Sequence, residues 1–187
     1  MAYDPKIHHR RSIRFQEYDY SQEGAYFATI CAHEHQHLFG KIENRAMCLN
    51  PAGEMVLRVW EEIPAHYPGV DIDAFVVMPN HVHGIIVLIG DAEGIAHDRG
   101  PGQVRGPGQV RGPAPTTPNS DAIRLKLGEV VKRFKTMIIT NYGRGVGHDG
   151  WPRYRKKLWQ RNYYEHVVRS EESLGKIREY IENNPLN

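Results

Sequence analysis

The chain has 187 residues, 40% of them apolar, a formal net charge of +2 and two cysteines, Cys31 and Cys48. That is apolar material for one core and one domain, 1–187, with none of the runs of roughly eighteen apolar residues that cross a membrane. Two cysteines make no disulfide framework and have no metal-type spacing, and the opening Met1-Ala-Tyr-Asp-Pro-Lys6 is polar rather than a signal peptide, so the expected setting is the cytoplasm.

Residues 1–20 read as an extended basic arm with Arg10, Arg11 and Arg14 in its middle. Ala25 to Ala32 is rich in aromatic and β-branched residues and reads as the first strand. His33-Glu-His-Gln-His37 sets three histidines at period two, but in a polar stretch with no acid or cysteine placed to complete a metal site. A short strand is expected over Leu38 to Glu43. Asn50-Pro51 has the chemistry of a helix start, an N-cap followed by proline at the first helical position. Val56, Leu57, Val59, Trp60 and Ile63 then recur at helical spacing, and Tyr67-Pro68-Gly69 ends the helix. Asp73 to Leu88 reads as a hairpin that turns at Pro79-Asn80.

Residues 91–119 differ in kind. Arg99-Gly-Pro-Gly-Gln-Val, Arg105-Gly-Pro-Gly-Gln-Val and Arg111-Gly-Pro-Ala-Pro form a repeat too rich in Gly and Pro to bury a core, so a disordered insert is expected. Ser120-Asp121 can cap a second helix, with Ile123, Leu127, Val130, Val131, Phe134 and Ile138 as its apolar stripe. A glycine-rich loop is expected over Gly143 to Gly150. It lacks the strand and the Lys-Ser/Thr ending of a phosphate-binding loop. The second half of Lys157 to Val168 reads as the last strand. Ser170 and Ser173 open a final helix, Leu174 to Asn184, which Pro185 stops. The order predicts an α+β, ferredoxin-like or RRM-like sandwich, a central antiparallel sheet with helices packed on one face.

The distribution of charge says more than its sum. Residues 121–181 hold fourteen Lys or Arg against seven Asp or Glu, and Trp151 to Arg161 has five basic residues and no acid. Lys132, Arg133 and Lys135, then Arg153, Arg155, Lys156, Lys157 and Arg161, interleaved with Trp151, Tyr154 and Trp159, make the footprint expected for phosphate contacts. A merely solvated face is the plainer reading of any single cluster.

His81-Val82-His83 sits in the most apolar run of the chain. On a strand, both imidazoles share one face and Val82 takes the other. Two imidazoles side by side make half of a divalent-metal site, although His-x-His by itself is a weak signal. Tyr180 and Asn184 are four apart, so on a helix they share a face. If that helix lies over the hairpin, Asn184 can offer an amide oxygen to a metal on His81 and His83, and Tyr180 can hold its phenol beside it. Such a donor set suits Mg2+ or Mn2+ better than structural zinc. A phenol, with a pKa of about 10, needs such help to act as a nucleophile.

Together these stretches resemble the REP-associated tyrosine transposases, relatives of the single-tyrosine insertion-sequence transposases among the HUH nucleases. The likeness is carried by Arg10-Arg-Ser-Ile-Arg14, Gly24 to Cys31, Phe75-Val-Val-Met-Pro-Asn-His-Val-His-Gly-Ile-Ile86, Gly128 to Lys135, Trp159-Gln-Arg-Asn-Tyr-Tyr-Glu-His166 and Ile177-Arg-Glu-Tyr-Ile-Glu-Asn-Asn-Pro185. The resemblance implies that His81, His83 and Asn184 are metal ligands for Mg2+ or Mn2+. It implies that Tyr180 is the nucleophile and that Arg10, Arg11 and Arg14 help to read a hairpin foot. The partner it implies is single-stranded DNA with hairpins, cut and rejoined at repeated palindromes through a 5′-phosphotyrosine, by a monomer rather than a dimer. Tyr163 and Tyr164 lack a partner amide four residues on, and read as strand residues that pack or stack on bases. The reading from another class is a DNA- or RNA-binding module on an RRM-like sheet with decayed catalysis.

Overall fold

The computed structural model describes residues 19–89 and 126–186. The basic arm with Arg10, Arg11 and Arg14, the Arg-Gly-Pro repeat, and the Ser120-Asp121 cap with Ile123 lie outside the described residues.

Among the described residues, six strands and four α-helices follow in chain order: β1 (Gly24–Cys31), β2 (Gly40–Glu43), β3 (Ala46–Leu49), α1 (Pro51–Glu61), α2 (Ile63–His66), β4 (Val70–Met78), β5 (His81–Leu88), α3 (Leu127–His148), β6 (Tyr164–Val168) and α4 (Glu171–Glu182). The main sheet is antiparallel, in the order β4-β5-β1-β6. With α1 between β1 and β4, and α3 between β5 and β6, this is the βαββαβ arrangement expected from the sequence.

Alternation along the strands divides the molecule into two cores. Tyr26, Ile30, Val82, Ile86 and Leu88 face one way and join the buried faces of α1 and α3. Val56, Val59, Trp60 and Ile63 from the first helical region meet Val130, Val131, Phe134 and Ile138 from α3 there. Each such side chain contributes about 1.5–3 kcal/mol when fully buried. Phe27 and Ile85 face the other way and are covered by Ile181 of α4, with Leu174 and Ile177 packed alongside. So α1 and α3 take one face of the sheet, and the terminal helix takes the opposite one.

Local chemistry sets most boundaries. The Asn50 side chain caps α1, accepting from the Gly53 N–H at 2.9 Å. Ser170 caps α4, accepting from the Ser173 N–H at 3.2 Å. Gly84 passes under α1 so closely that a Cβ there would lie 2.6 Å from the Trp60 ring.

Three expectations are corrected. The stretch from Gly143 to Gly150 is not a loop, because α3 continues to His148. Each helical glycine costs about 1 kcal/mol relative to alanine, but tertiary packing outweighs this. Gly145 lets the Trp151 ring lie directly on the helix, and the buried Tyr142 donates its hydroxyl to the Pro152 carbonyl at 3.0 Å. Second, the strand at Leu38 to Glu43 is only β2, and it pairs with β3, which the sequence reading does not anticipate. The turn between them holds Asn44 and Arg45 at φ 52° and 64°, the left-handed pair that a two-residue hairpin turn needs. Third, α4 ends at Glu182, and Asn184 opens a 3-10 turn rather than the last turn of the α-helix.

Candidate active site

Turning at Pro79-Asn80, the hairpin starts β5 at His81, opposite Met78 of β4 and Cys31 of β1. Period two then puts His81 and His83 on the face that α4 shares, while Val82 enters the main core. His81 is half-buried, and His83 is only 6% exposed.

Each imidazole is held through one nitrogen and offers the other. The Nδ1 of His81 lies 2.7 Å from the Asn80 Oδ1. The Nδ1 of His83 lies 2.8 Å from the Thr29 Oγ1. Their Nε2 atoms converge to 3.1 Å. Burial, then the neighbouring His81, pushes His83 down to about 4. Burial, then His35, lowers His81. Two neutral imidazoles with oriented rings and converging nitrogens form a donor pair for a divalent ion. Among the described residues no group of three His, Cys, Asp or Glu could hold a metal ion.

Tyr180 is delivered by α4. Arg178, two residues earlier, reaches the sheet: its Nε lies 3.0 Å and 3.2 Å from the two carboxylate oxygens of Asp73, and its Nη2 lies 2.5 Å from one of them. Asp73 sits in a bulge of β4 between Ile72 and Phe75. The Arg178 hydrogen bond holds its carboxyl below the usual range. With Leu174, Ile177 and Ile181 seated on the sheet, the Tyr180 hydroxyl comes 3.5 Å from the Nε2 of His83. Its ring stands edge-on to His83, at 5.3 Å and 69°, and to Phe27, at 6.1 Å and 83°. It remains 46% exposed, so a substrate can reach it. Asn184 is buried, 8% exposed, one turn beyond Tyr180.

Among the described residues the other histidine group forms no cluster that could hold a metal ion. His33–His35 forms a 3-10 turn with Glu34 and His35 at positive φ. His33 lies 3.5 Å from Glu34, and the Nε2 of His35 lies 3.3 Å from the Gln160 Nε2.

The basic residues fall into two places. Lys132 and Arg133 are exposed on α3, on the side of the sheet away from the histidines. The Arg133 guanidinium sits 4.9 Å over the Tyr67 ring, beside a cleft of about 500 Å³. Arg153, Arg155, Lys156, Lys157 and Arg161 are exposed on the segment between α3 and β6. That segment is fixed at the end of the sheet where β5 begins. Trp159 bridges to Ala32, the Arg155 N–H donates to the Gln36 side chain at 2.7 Å, and Lys156 lies 3.4 Å from Glu34. Lys135 differs, because its ammonium donates to the Gln160 and Asn162 carbonyls at 2.9 Å and 3.1 Å.

Sequence reasoning misses Thr29, Asn80 and the Asp73–Arg178 pair. Asn80 is visible beside the first histidine, but the other two depend on register.

No family model matches the chain. The chain is 43% identical over 187 residues to an uncharacterized protein of Haemophilus influenzae, a match that covers 98% of this chain and 92% of that protein. Among solved structures it is similar to a REP-associated tyrosine transposase bound to a REP hairpin, with a TM-score of 0.53 and 18% identity over 92% of this chain and 72% of that one. At that identity the likeness is one of fold.

Proposed function

The chain belongs to one family with the Haemophilus influenzae protein, and from the geometry of its site we propose that it is a metal-dependent single-strand DNA transposase. It cleaves and rejoins DNA at hairpin-forming repeated palindromes through a 5′-phosphotyrosine on Tyr180. The observation that carries this reading is the placement of the Tyr180 hydroxyl 3.5 Å from the Nε2 of His83, beside the converging Nε2 of His81. A tyrosine that only packed would not need its oxygen aimed at a pair of neutral imidazoles. The structural neighbour was solved with a REP hairpin, which supports DNA of that shape as the ligand class.

His81 and His83, through Nε2, and the Asn184 amide oxygen are the residues that would hold Mg2+ or Mn2+. When bound, such an ion polarises the phosphate and offsets the charge that develops on it. The chain's own residues do the rest. Thr29 and Asn80 fix the imidazole rings. The Arg178–Asp73 pair and the apolar face of α4 fix the Tyr180 oxygen near the phosphate position. That oxygen attacks phosphorus, the 3′ oxygen leaves, and the new phosphotyrosine ester keeps the energy of the broken bond for rejoining. The exposed cations of the segment 153–161 flank the start of β5, where the backbone of a bound strand would meet them.

The test is incubation with hairpin-tailed single-stranded DNA and Mn2+, followed by a denaturing gel. A covalent protein–DNA adduct with the native chain, absent in Tyr180→Phe, is the expected result. Absence of adduct with the native chain under all metal conditions, with DNA binding retained, would favour a binding module instead.

A further inference from the structure

The face that carries His83 continues across the sheet to an aromatic residue that the cleavage chemistry does not use. Register sets Val76, His83, Thr29 and Tyr164 in one row across β4, β5, β1 and β6. Residues directly opposite one another in antiparallel strands project to the same side. Thr29 is known to face the site because its hydroxyl meets His83, so Tyr164 faces the site as well. Its neighbours agree with this. Tyr163 and Val167 pack into the α1–α3 core, while Val168 packs under α4.

Tyr164 lies two strand spacings from His83, roughly 10 Å between backbones. It is 49% exposed. One row along, Phe27 is covered by α4 and stacks on His83, whereas its partner across the strands, His166, is exposed. A cleft of about 360 Å³ wraps the edge of β6, the outer strand of the sheet, lined by Tyr164, His166 and Arg169 and, from the α1–α3 side, by Tyr20, Glu165 and Val167. Exposed Arg161 lies just before the strand and exposed Arg169 just after it. An open aromatic ring beside the reacting groups, with a cation at each end of its strand, matches a single polynucleotide strand: bases for the ring, phosphates for the arginines.

We propose that Tyr164 is the stacking platform for a nucleobase flanking the cleaved phosphate, and that single-stranded DNA leaves the site over Thr29 and along the β6 cleft. This rests on the function proposed above, and it assigns a DNA-positioning role to a residue outside the cleavage chemistry.

The experiment measures binding of fluorescent hairpin-tailed single-stranded DNA to the full chain by anisotropy, for the native protein, Tyr164→Ala, Tyr164→Phe and Tyr164→Trp. A set of substrates carries one abasic position, moved stepwise along the tail. Tyr164→Ala should weaken binding roughly 5- to 150-fold, the range expected for loss of one base–aromatic stack, while Phe and Trp keep the affinity. One abasic position should reduce native binding to the level of Tyr164→Ala and leave that variant unchanged. Equal affinity for native and Ala chains would overturn the platform. So would a loss in the Ala variant that is the same on every abasic substrate, because that is general damage to the sheet. Adduct formation on Tyr180 is read in parallel. Adduct without a Tyr164 effect sinks only the platform, a Tyr164 effect without adduct sinks only the cleavage reading, and no DNA binding at all sinks both.

Discussion

The Thr29 hydroxyl lies 2.8 Å from the Nδ1 of His83, and that contact aims the opposite nitrogen at His81. Removing it frees the ring without removing the ligand. Loss of such an outer partner typically costs 10- to 100-fold in metal affinity. Thr29→Val should therefore weaken Mn2+ binding by about that factor in calorimetry, with an unchanged circular dichroism spectrum. Native-like Mn2+ affinity in Thr29→Val would remove the hydroxyl from the site's design.

Arg178 and Asp73 join α4 to the bulge of β4, so they set where Tyr180 stands. The guanidinium is exposed, and the pair adds little to global stability. Arg178→Ala should lower the rate of adduct formation roughly 10- to 100-fold, the cost of a small misplacement of a reacting group. The melting temperature should barely move. Asp73→Ala should have the same effect, and the double variant should be no worse than either. Additive losses would show that the two residues act separately.

The glycines of α3 separate packing from propensity. At Gly147 an added Cβ meets open space, and at Gly145 it meets the Trp151 ring. Gly147→Ala should stabilise the protein by up to about 1 kcal/mol in urea unfolding. Gly145→Ala should destabilise it, because the clash exceeds that gain.

Lys135 makes a prediction in pH. Burial pulls its ammonium down to about 8 from an ordinary 10.5. Between those values the unfolded chain binds a proton that the folded chain has released, so this residue makes stability rise with pH across that window. Lys135→Met should lose that rise, and at neutral pH the loss of the two bonds to the Gln160 and Asn162 carbonyls is offset by removal of a desolvated ammonium, so stability there should change little. Urea melts of both chains from pH 7 to 10.5 read both effects.

How much of this was legible in the sequence depended on range. The His81–His83 pair, the Asn50 and Ser170 caps and the Tyr180 spacing are local, and period two or period 3.6 is enough to read them. The side of the sheet taken by α4 was written less plainly. From Gly84 to Leu88 the strand is apolar or glycine at every position, a sign that both of its faces are covered. Thr29, the Asp73–Arg178 pair and the row that ends at Tyr164 depend on register, and a bulge at Ile72/Phe75 shifts that register in β4. No local pattern announces it. The end of α3 is not legible because glycine propensity is a weak prior that Trp151 overrides, and β3 is hidden because Asn44-Arg45 lacks the glycine that usually marks such a turn.

The central claim is that the Tyr180 oxygen becomes bonded to DNA. The most direct measurement is peptide mass spectrometry of the protein after reaction with hairpin-tailed single-stranded DNA and Mn2+ and nuclease trimming. A nucleotide mass on the peptide that contains Tyr180, absent in Tyr180→Phe and in His83→Ala, is the predicted result. An adduct on Tyr163, Tyr164 or any other residue, or one that persists in Tyr180→Phe, would contradict it.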